Sequence, residues 1–169
     1  ALAHSVASTE DLVILLRALR NADTGGRAFA GAGRGGDLRD SDEWIDTCFD
    51  LVDTYSAAPA ADRLRLVDWT VFNLLIGNAD AHAKNLSLLY GADGRLRLAP
   101  AYDLLATGYW AELSDRMATA IGGERRPAWI KARHWQRVCE SVGLNAVQLR
   151  RRALDLCAKA LARKDEVLA

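Results

Sequence analysis

The stretch from Asp62 to Leu105 constrains the fold most, because a helical pattern meets a hairpin pattern there across a joint of polar residues. Leu64, Val67, Val71, Leu74 and Leu75 recur at three- and four-residue steps and predict a helix over 62–76 with those side chains facing inward. Pro59 restarts the chain ahead of it, few charges occupy its last two turns, and Gly77 stops it. Beyond the joint, two short apolar-rich runs, 86–90 and 95–99, flank Gly-Ala-Asp-Gly, which is a hairpin signal. The hairpin folds the chain back on itself. Asp103 should therefore land near the joint despite lying 23 residues beyond Asp80.

Helical periodicity dominates elsewhere. Residues 8–21 read as a helix capped by Ser8, with Leu12, Leu15, Leu16 and Leu19 on one face. Glycine-rich residues 24–40 read as a loop. Ser41 opens a second helix, in which Trp44, Cys48, Leu51, Val52 and Tyr55 recur. Two more helices are expected over 129–142 and 145–163, the last with a stripe of Val147, Leu154, Ala158 and Leu161 opposite Arg150, Arg151 and Lys159. Ile121 to Glu124 reads as a turn, and Trp110, Trp129 and Trp135 as packing residues. The expected fold class is mainly α with one small β-hairpin, and at 169 residues the chain suits a single domain, 1–169.

The charge balance, 22 cations against 22 acids, offers no global field for nucleic acid or an anionic membrane. No apolar run approaches the ~20 residues of a membrane span. Cys48, Cys139 and Cys157 are scattered without a Cys-x-x-Cys pair, which fits buried thiols in a reducing cytoplasm.

The joint holds Asn78, Asp80, His82, Lys84 and Asn85 within eight residues. A loop between a buried helix and a hairpin can hold side chains in fixed positions. Asp80, Asn85 and Asp103 would bring two acids and an amide oxygen together, a set that suits a hard divalent cation such as magnesium. The order Asp-x-x-x-x-Asn, hairpin, acid is the one protein kinases use for base and metal ligands. In that scheme Asp80 is the base, and Asn85 and Asp103 hold the metal on the phosphates of ATP. Lys84 neutralises charge on the phosphoryl group in flight. His82 either orients the loop or reaches the nucleotide.

"IGNADAHAKNLS", followed by "LAPAYDLLAT", resembles the HipA family of serine/threonine kinases, the toxins of bacterial toxin–antitoxin pairs. Asn78, Asp80, His82, Lys84 and Asn85 match its Asn-x-Asp-x-His-x-Lys-Asn loop, and residues 99–105 match its metal-binding segment. The resemblance is strongest over 63–144. It implies the helical C-terminal lobe of a kinase-like fold, distantly akin to phosphoinositide kinases, that transfers the γ-phosphate of ATP to a serine or threonine of a protein substrate. It further implies that His82, Ala83, Lys84, Asn85, Tyr102, Asp103, Leu104 and Leu105 contact ATP or magnesium. A HipB-like DNA-binding antitoxin is the partner such toxins take.

Ordinary kinases also need an N-terminal lobe with a glycine-rich loop and a strand-borne lysine. The first lysine here is Lys84, and the glycines of 31–36 lie between two predicted helices. The chain thus reads as the catalytic lobe alone, its N-lobe cut away, carried by a separate polypeptide or lost. By itself it should be inactive or very weak. The alternatives are a non-catalytic remnant that holds an antitoxin or substrate, and a metal-dependent phosphohydrolase. The latter would need more carboxylates or histidines than the joint supplies.

Overall fold

The structure, a computed structural model, describes residues 44–82, 85–110, 112–114 and 116–168, with side chains as far as 163. The helix expected over 8–21, the loop over 24–40 and the helix start at Ser41 lie outside the described residues, as do Ala83 and Lys84.

Proline and glycine bound the central helix. Helix α1 spans Trp44–Tyr55 and α2 spans Pro59–Ile76. The second begins three residues before the expected start because Pro59 occupies its first turn, where a missing N–H costs nothing. It ends at Gly77 in the left-handed conformation (φ 67°), whose N–H and that of Asn78 return to the carbonyls of Leu74 and Asn73. Leu66, Val67, Trp69, Thr70, Val71 and Asn73 are its buried side, and Trp69 meets Trp44 edge-on at 6.0 Å. Leu64 and Leu75 are exposed, contrary to expectation. Neighbouring helices cover the side centred on Leu66, Thr70 and Asn73, and the two leucines fall on the opposite side of a 3.6-residue turn.

Strands β1 (Leu88–Tyr90) and β2 (Leu96–Leu98) pair antiparallel, with Leu88 opposite Leu98 and Tyr90 opposite Leu96. Both are shorter than expected. Asn85 turns back to His82 before β1 begins, and Pro100 cannot extend the ladder beyond the bond from Ala99 N to Ser87 O (2.8 Å).

The expected helix over 129–142 is divided. A 3-10 turn, Pro127–Trp129, precedes two extended residues, and α3 spans Ala132–Val142. His134 Nδ1 accepts the Lys131 N–H at 3.0 Å and so caps the helix where it starts. Helix α4, Ala146–Leu168, runs beyond the expected end, with Asn145 Oδ1 accepting from Gln148 N at its start. Its expected apolar stripe is turned outward: Val147, Leu154, Ala158 and Leu161 are exposed. The packed side carries Leu149, Ala153 and Leu156, locked by the two-pronged pair of Arg152 with Asp68 at 2.6 and 2.7 Å. Trp110 and Trp129 are also exposed, the latter under the Arg126 guanidinium at 4.3 Å, whereas Trp135 packs on the core. Cys48 and Cys139 are buried, and burial pushes both thiols above their usual range.

The core gathers α1, α2, α3, the hairpin and the packed side of α4. The described residues are mostly helical with one two-stranded antiparallel sheet. Among the described residues no helix is long and apolar enough to cross a membrane.

The turn over 121–124 forms as expected, closed by a bridge between Ile121 and Glu124. Gly122 has φ 56°, and a Cβ there would lie 2.2 Å from the His134 carbonyl oxygen. Gly122→Ala should cost at least about 2 kcal/mol by urea unfolding, because left-handed strain and a backbone clash add. Gly123→Ala meets nothing within 4 Å and should cost only about 1 kcal/mol, for its φ of 84°.

Candidate active site

The loop leaving α2 is fastened on three sides by side chains that reach its backbone. Thr107 Oγ1 accepts the Ala79 N–H at 2.6 Å and donates to the Gly77 carbonyl at 3.0 Å, which also accepts from Gly108 N. Ala118 N donates to the Ala79 carbonyl at 2.7 Å, and Thr119 Oγ1 donates to the Ala81 carbonyl. Asn85 closes the end: its N–H returns to the His82 carbonyl at 2.9 Å and its Nδ2 to the Asp80 carbonyl at 3.2 Å. Loops usually lie loose on the surface. This one has its backbone tied at Gly77, Ala79, Asp80, Ala81 and His82.

The side chain of Asn78, 1% exposed, lies at the centre. Its Oδ1 accepts the Asp80 N–H at 3.1 Å, and its Nδ2 donates to Asn73 Oδ1 at 2.7 Å and to the Asp103 carbonyl at 3.2 Å. Asp80 and Asp103 are therefore both bonded to one amide group. The Asp80 side chain stays 62% exposed, with His82 Nε2 3.6 Å from its Oδ1. His82 Nδ1 is buried with no hydrogen-bond partner among the described residues.

Asp103 is the one described non-glycine residue with positive φ, at 55°. That conformation costs an ordinary L-residue about 1–2 kcal/mol, less for aspartate, and marks backbone held by its surroundings. The residue is exposed. Tyr102 shares a 2.7 Å hydrogen bond with Ser87 Oγ, Leu104 packs on the core, and Leu105 is exposed. A cleft of about 300 Å³ lies beside this segment, lined by Trp69, Phe72, Asn85, Leu98, Tyr102 and Leu104.

Of the residues singled out in the sequence, Asp80, His82, Asn85 and Asp103 thus share one small region, with Tyr102 and Leu104 beside it. Ala83 and Lys84 lie outside the described residues. With its Nδ2 engaged by the Asp80 carbonyl, the side-chain atom Asn85 has left for a cation is Oδ1. Among the described residues no three His, Cys, Asp or Glu side chains converge, so no all-protein metal cage forms there. An amide oxygen and a carboxylate do fit magnesium, which keeps waters and substrate phosphates in its shell.

Thr107, Thr119 and Asn73 escaped sequence reasoning. Thr107 and Thr119 bond to loop atoms 28 and 38 positions away, and Asn73 sits in an otherwise helical apolar pattern. The clue available for Asn73 was a buried-face amide five residues before a second asparagine.

The profile of the HipA-like C-terminal domain matches residues 37–164. "Putative kinase Y4mE" of Sinorhizobium fredii is 44% identical over 119 residues, which make up 69% of this chain and 28% of that protein. Over 115 residues the chain is 32% identical to the serine/threonine-protein kinase toxin HipA of Shewanella oneidensis, covering 66% of this chain and 26% of the toxin. Among solved structures, a chain of the Shewanella oneidensis MR-1 toxin–antitoxin complex of HipA, HipB and operator DNA matches with a TM-score of 0.69 and 28% identity. That match covers 80% of this chain and 32% of the other. The chain spans about a quarter to a third of the length of these proteins. On the profile match over most of its length, the chain belongs to the HipA-like C-terminal domain family.

Proposed function

We propose that this chain is the catalytic lobe of a serine/threonine protein kinase, transferring the γ-phosphate of magnesium-bound ATP to a hydroxyl on a protein. The reading rests on one observation: the Asn78 amide bonds the backbone of both Asp80 and Asp103, while Asn85 bonds Asp80 from the other side. Asp80, Asn85 and Asp103 thus belong to one braced unit, which supports reading them as proton acceptor and oxygen ligands. An ATP-cradling N-terminal lobe outside this chain completes the enzyme, in keeping with relatives several times its covered length.

Asp80, exposed at the mouth of the loop, accepts the proton of the incoming hydroxyl. The hydroxyl oxygen forms its bond to the γ-phosphorus as the bond to the β–γ bridging oxygen breaks, and ADP leaves with that electron pair. Asp103 and Asn85 Oδ1 would hold magnesium, which when bound neutralises the phosphate oxygens. Lys84 would neutralise charge on the phosphoryl group in flight, and Tyr102, Leu104 and Leu105 would border the nucleotide. A DNA-binding antitoxin is the proposed partner, by analogy with the solved complex. ATP dependence and the free cysteines fit work in the cytoplasm.

The test uses the full-length protein with γ-labelled ATP and magnesium. Label should appear on protein serine or threonine, and both chelation of the metal and Asp103→Asn should reduce it at least about 100-fold. Asparagine tolerates the left-handed backbone, so that variant removes the carboxylate without the strain an alanine would add. Transfer that survives both treatments would overturn the proposal.

A further inference from the structure

Asn78 makes more bonds than a helix end needs. The α2 terminus is already closed by main-chain bonds from Gly77 and Asn78. The side chain nevertheless uses every hydrogen-bonding direction it is shown to fill on a different element. One Nδ2 hydrogen goes to Asn73 in the core and the other to the Asp103 carbonyl; Oδ1 takes the Asp80 N–H. Asn73 cannot turn its amide over, because its own Nδ2 donates to the Trp69 carbonyl at 2.8 Å. The orientation of the Asn78 amide is thereby dictated from inside α2.

We propose that Asn78 is a positioning residue that sets the separation between Asp80 and Asp103. This rests on the kinase reading of those two aspartates. Its chemistry is specific to a short amide. Aspartate has the same length but no donor for Asn73 or Asp103, and would set a buried carboxylate against two oxygens. Glutamine has the donors and the acceptor but reaches about one bond too far. Serine cannot serve three partners at once. The bond to the Asp103 carbonyl matters most for the reaction, because that residue holds the left-handed backbone that aims its carboxylate. Releasing it would leave both aspartates intact in identity and loose in distance. A displacement of about 1 Å can cost about 100-fold in rate.

The experiment compares Asn78→Ala and Asn78→Ser with Val71→Ala, a core substitution distant in chemistry from the loop, all in the full-length protein. Three quantities are read: the melting temperature, hydrogen exchange over 101–106, and the magnesium concentration for half-maximal ATP binding by calorimetry. Asn78→Ala should raise the magnesium requirement about tenfold and speed exchange over 101–106, with turnover about 100-fold lower per folded molecule. Asn78→Ser should move each readout in the same direction. Val71→Ala should lower the melting temperature yet leave the magnesium requirement within about twofold of the parent, because its effect is on the folded fraction alone. A folded Asn78 variant with the parent's magnesium requirement and exchange, alongside an inactive Asp80→Asn, would overturn the positioning role while sparing the kinase reading. Failure of both Asn78 variants to fold would make the residue architectural and also overturn it. An active Asp80→Asn would instead strike the reading beneath.

Discussion

On the proposed kinase reading, replacing Asp80 by asparagine in the full-length protein should lower phosphoryl transfer by about 1,000-fold and leave the melting temperature within about one degree. The two halves of this expectation have separate physical origins. Asp80 is bound into the loop through its main chain: the N–H to Asn78 Oδ1 and the carbonyl to Asn85 Nδ2. Asparagine keeps both bonds. The carboxylate itself is mostly in solvent, and among the described residues the longer approach from His82 Nε2 is the contact recorded beside it. Surface changes of that kind move stability by no more than about 0.5 kcal/mol. The amide, however, cannot accept the proton of an attacking hydroxyl, and a positioned general base contributes about 10²–10⁴-fold. Single-turnover rates at saturating ATP check the prediction, with calorimetric ATP affinity expected to stay near the parent's. Asp80→Glu should recover little, because one extra methylene moves the acceptor by more than a near-attack geometry tolerates. A rate for Asp80→Asn within tenfold of the parent would remove Asp80 from the role of base.

The helix α2, the hairpin and the polar joint were legible because their signals are local. Pro59, Gly77 and the Gly-Ala-Asp-Gly turn each act on the backbone within a few residues. Which side of a helix is buried is not local information. Val147, Leu154 and Leu161 repeat at a helical period, yet the side chosen for packing is the one where Arg152 can reach Asp68 and Leu149 and Leu156 can meet the core. Leu64 and Leu75 were misplaced for the same reason. Periodicity finds a stripe; partners decide whether it is covered.

The candidate site divides along the same line. Asp80 and Asn85 are close in sequence, and a turn of the chain brings Asp103 back, so pattern alone named them. The tying of the loop by Thr107 and Thr119 depends on segments that return from well beyond the hairpin. No spacing rule reaches that far. Asn78 falls between the two cases. Its place in the motif could be read, but its bond to Asp103 required the folded chain.

The hairpin that returns Asp103 to the loop is itself pinned by one buried charge, and Asp62→Asn should therefore cost about 3 kcal/mol of stability. Asp62 is 0% exposed in the first turn of α2. Its carboxylate accepts two bonds from Arg97 at 3.0 Å each, one from Ser56 Oγ at 2.6 Å, one from Leu98 N at 2.8 Å and a longer one from Arg65. Burial by itself would raise this carboxyl. The hydrogen bonds from Arg97, Ser56 and Leu98, together with the Arg97 charge, outweigh it and hold the group well below the usual carboxylate range. Breaking a buried, multiply bonded ion pair from one side costs about 3–5 kcal/mol, and the partial exposure of Arg97 favours the lower end. The sign of the pH dependence follows from the depressed value. The stabilisation is fully present above the unfolded carboxyl's pKa of about 4 and is lost as pH falls below it toward the folded value. Urea unfolding at pH 7 and at pH 3 checks both parts: the parent should lose stability on acidification, and Asp62→Asn should lose less, having already lost the carboxylate. Since β2 leads directly to Asp103, the variant should also transfer phosphate more slowly at temperatures where it remains folded. Equal acid sensitivity in parent and variant would place the hairpin's anchor elsewhere.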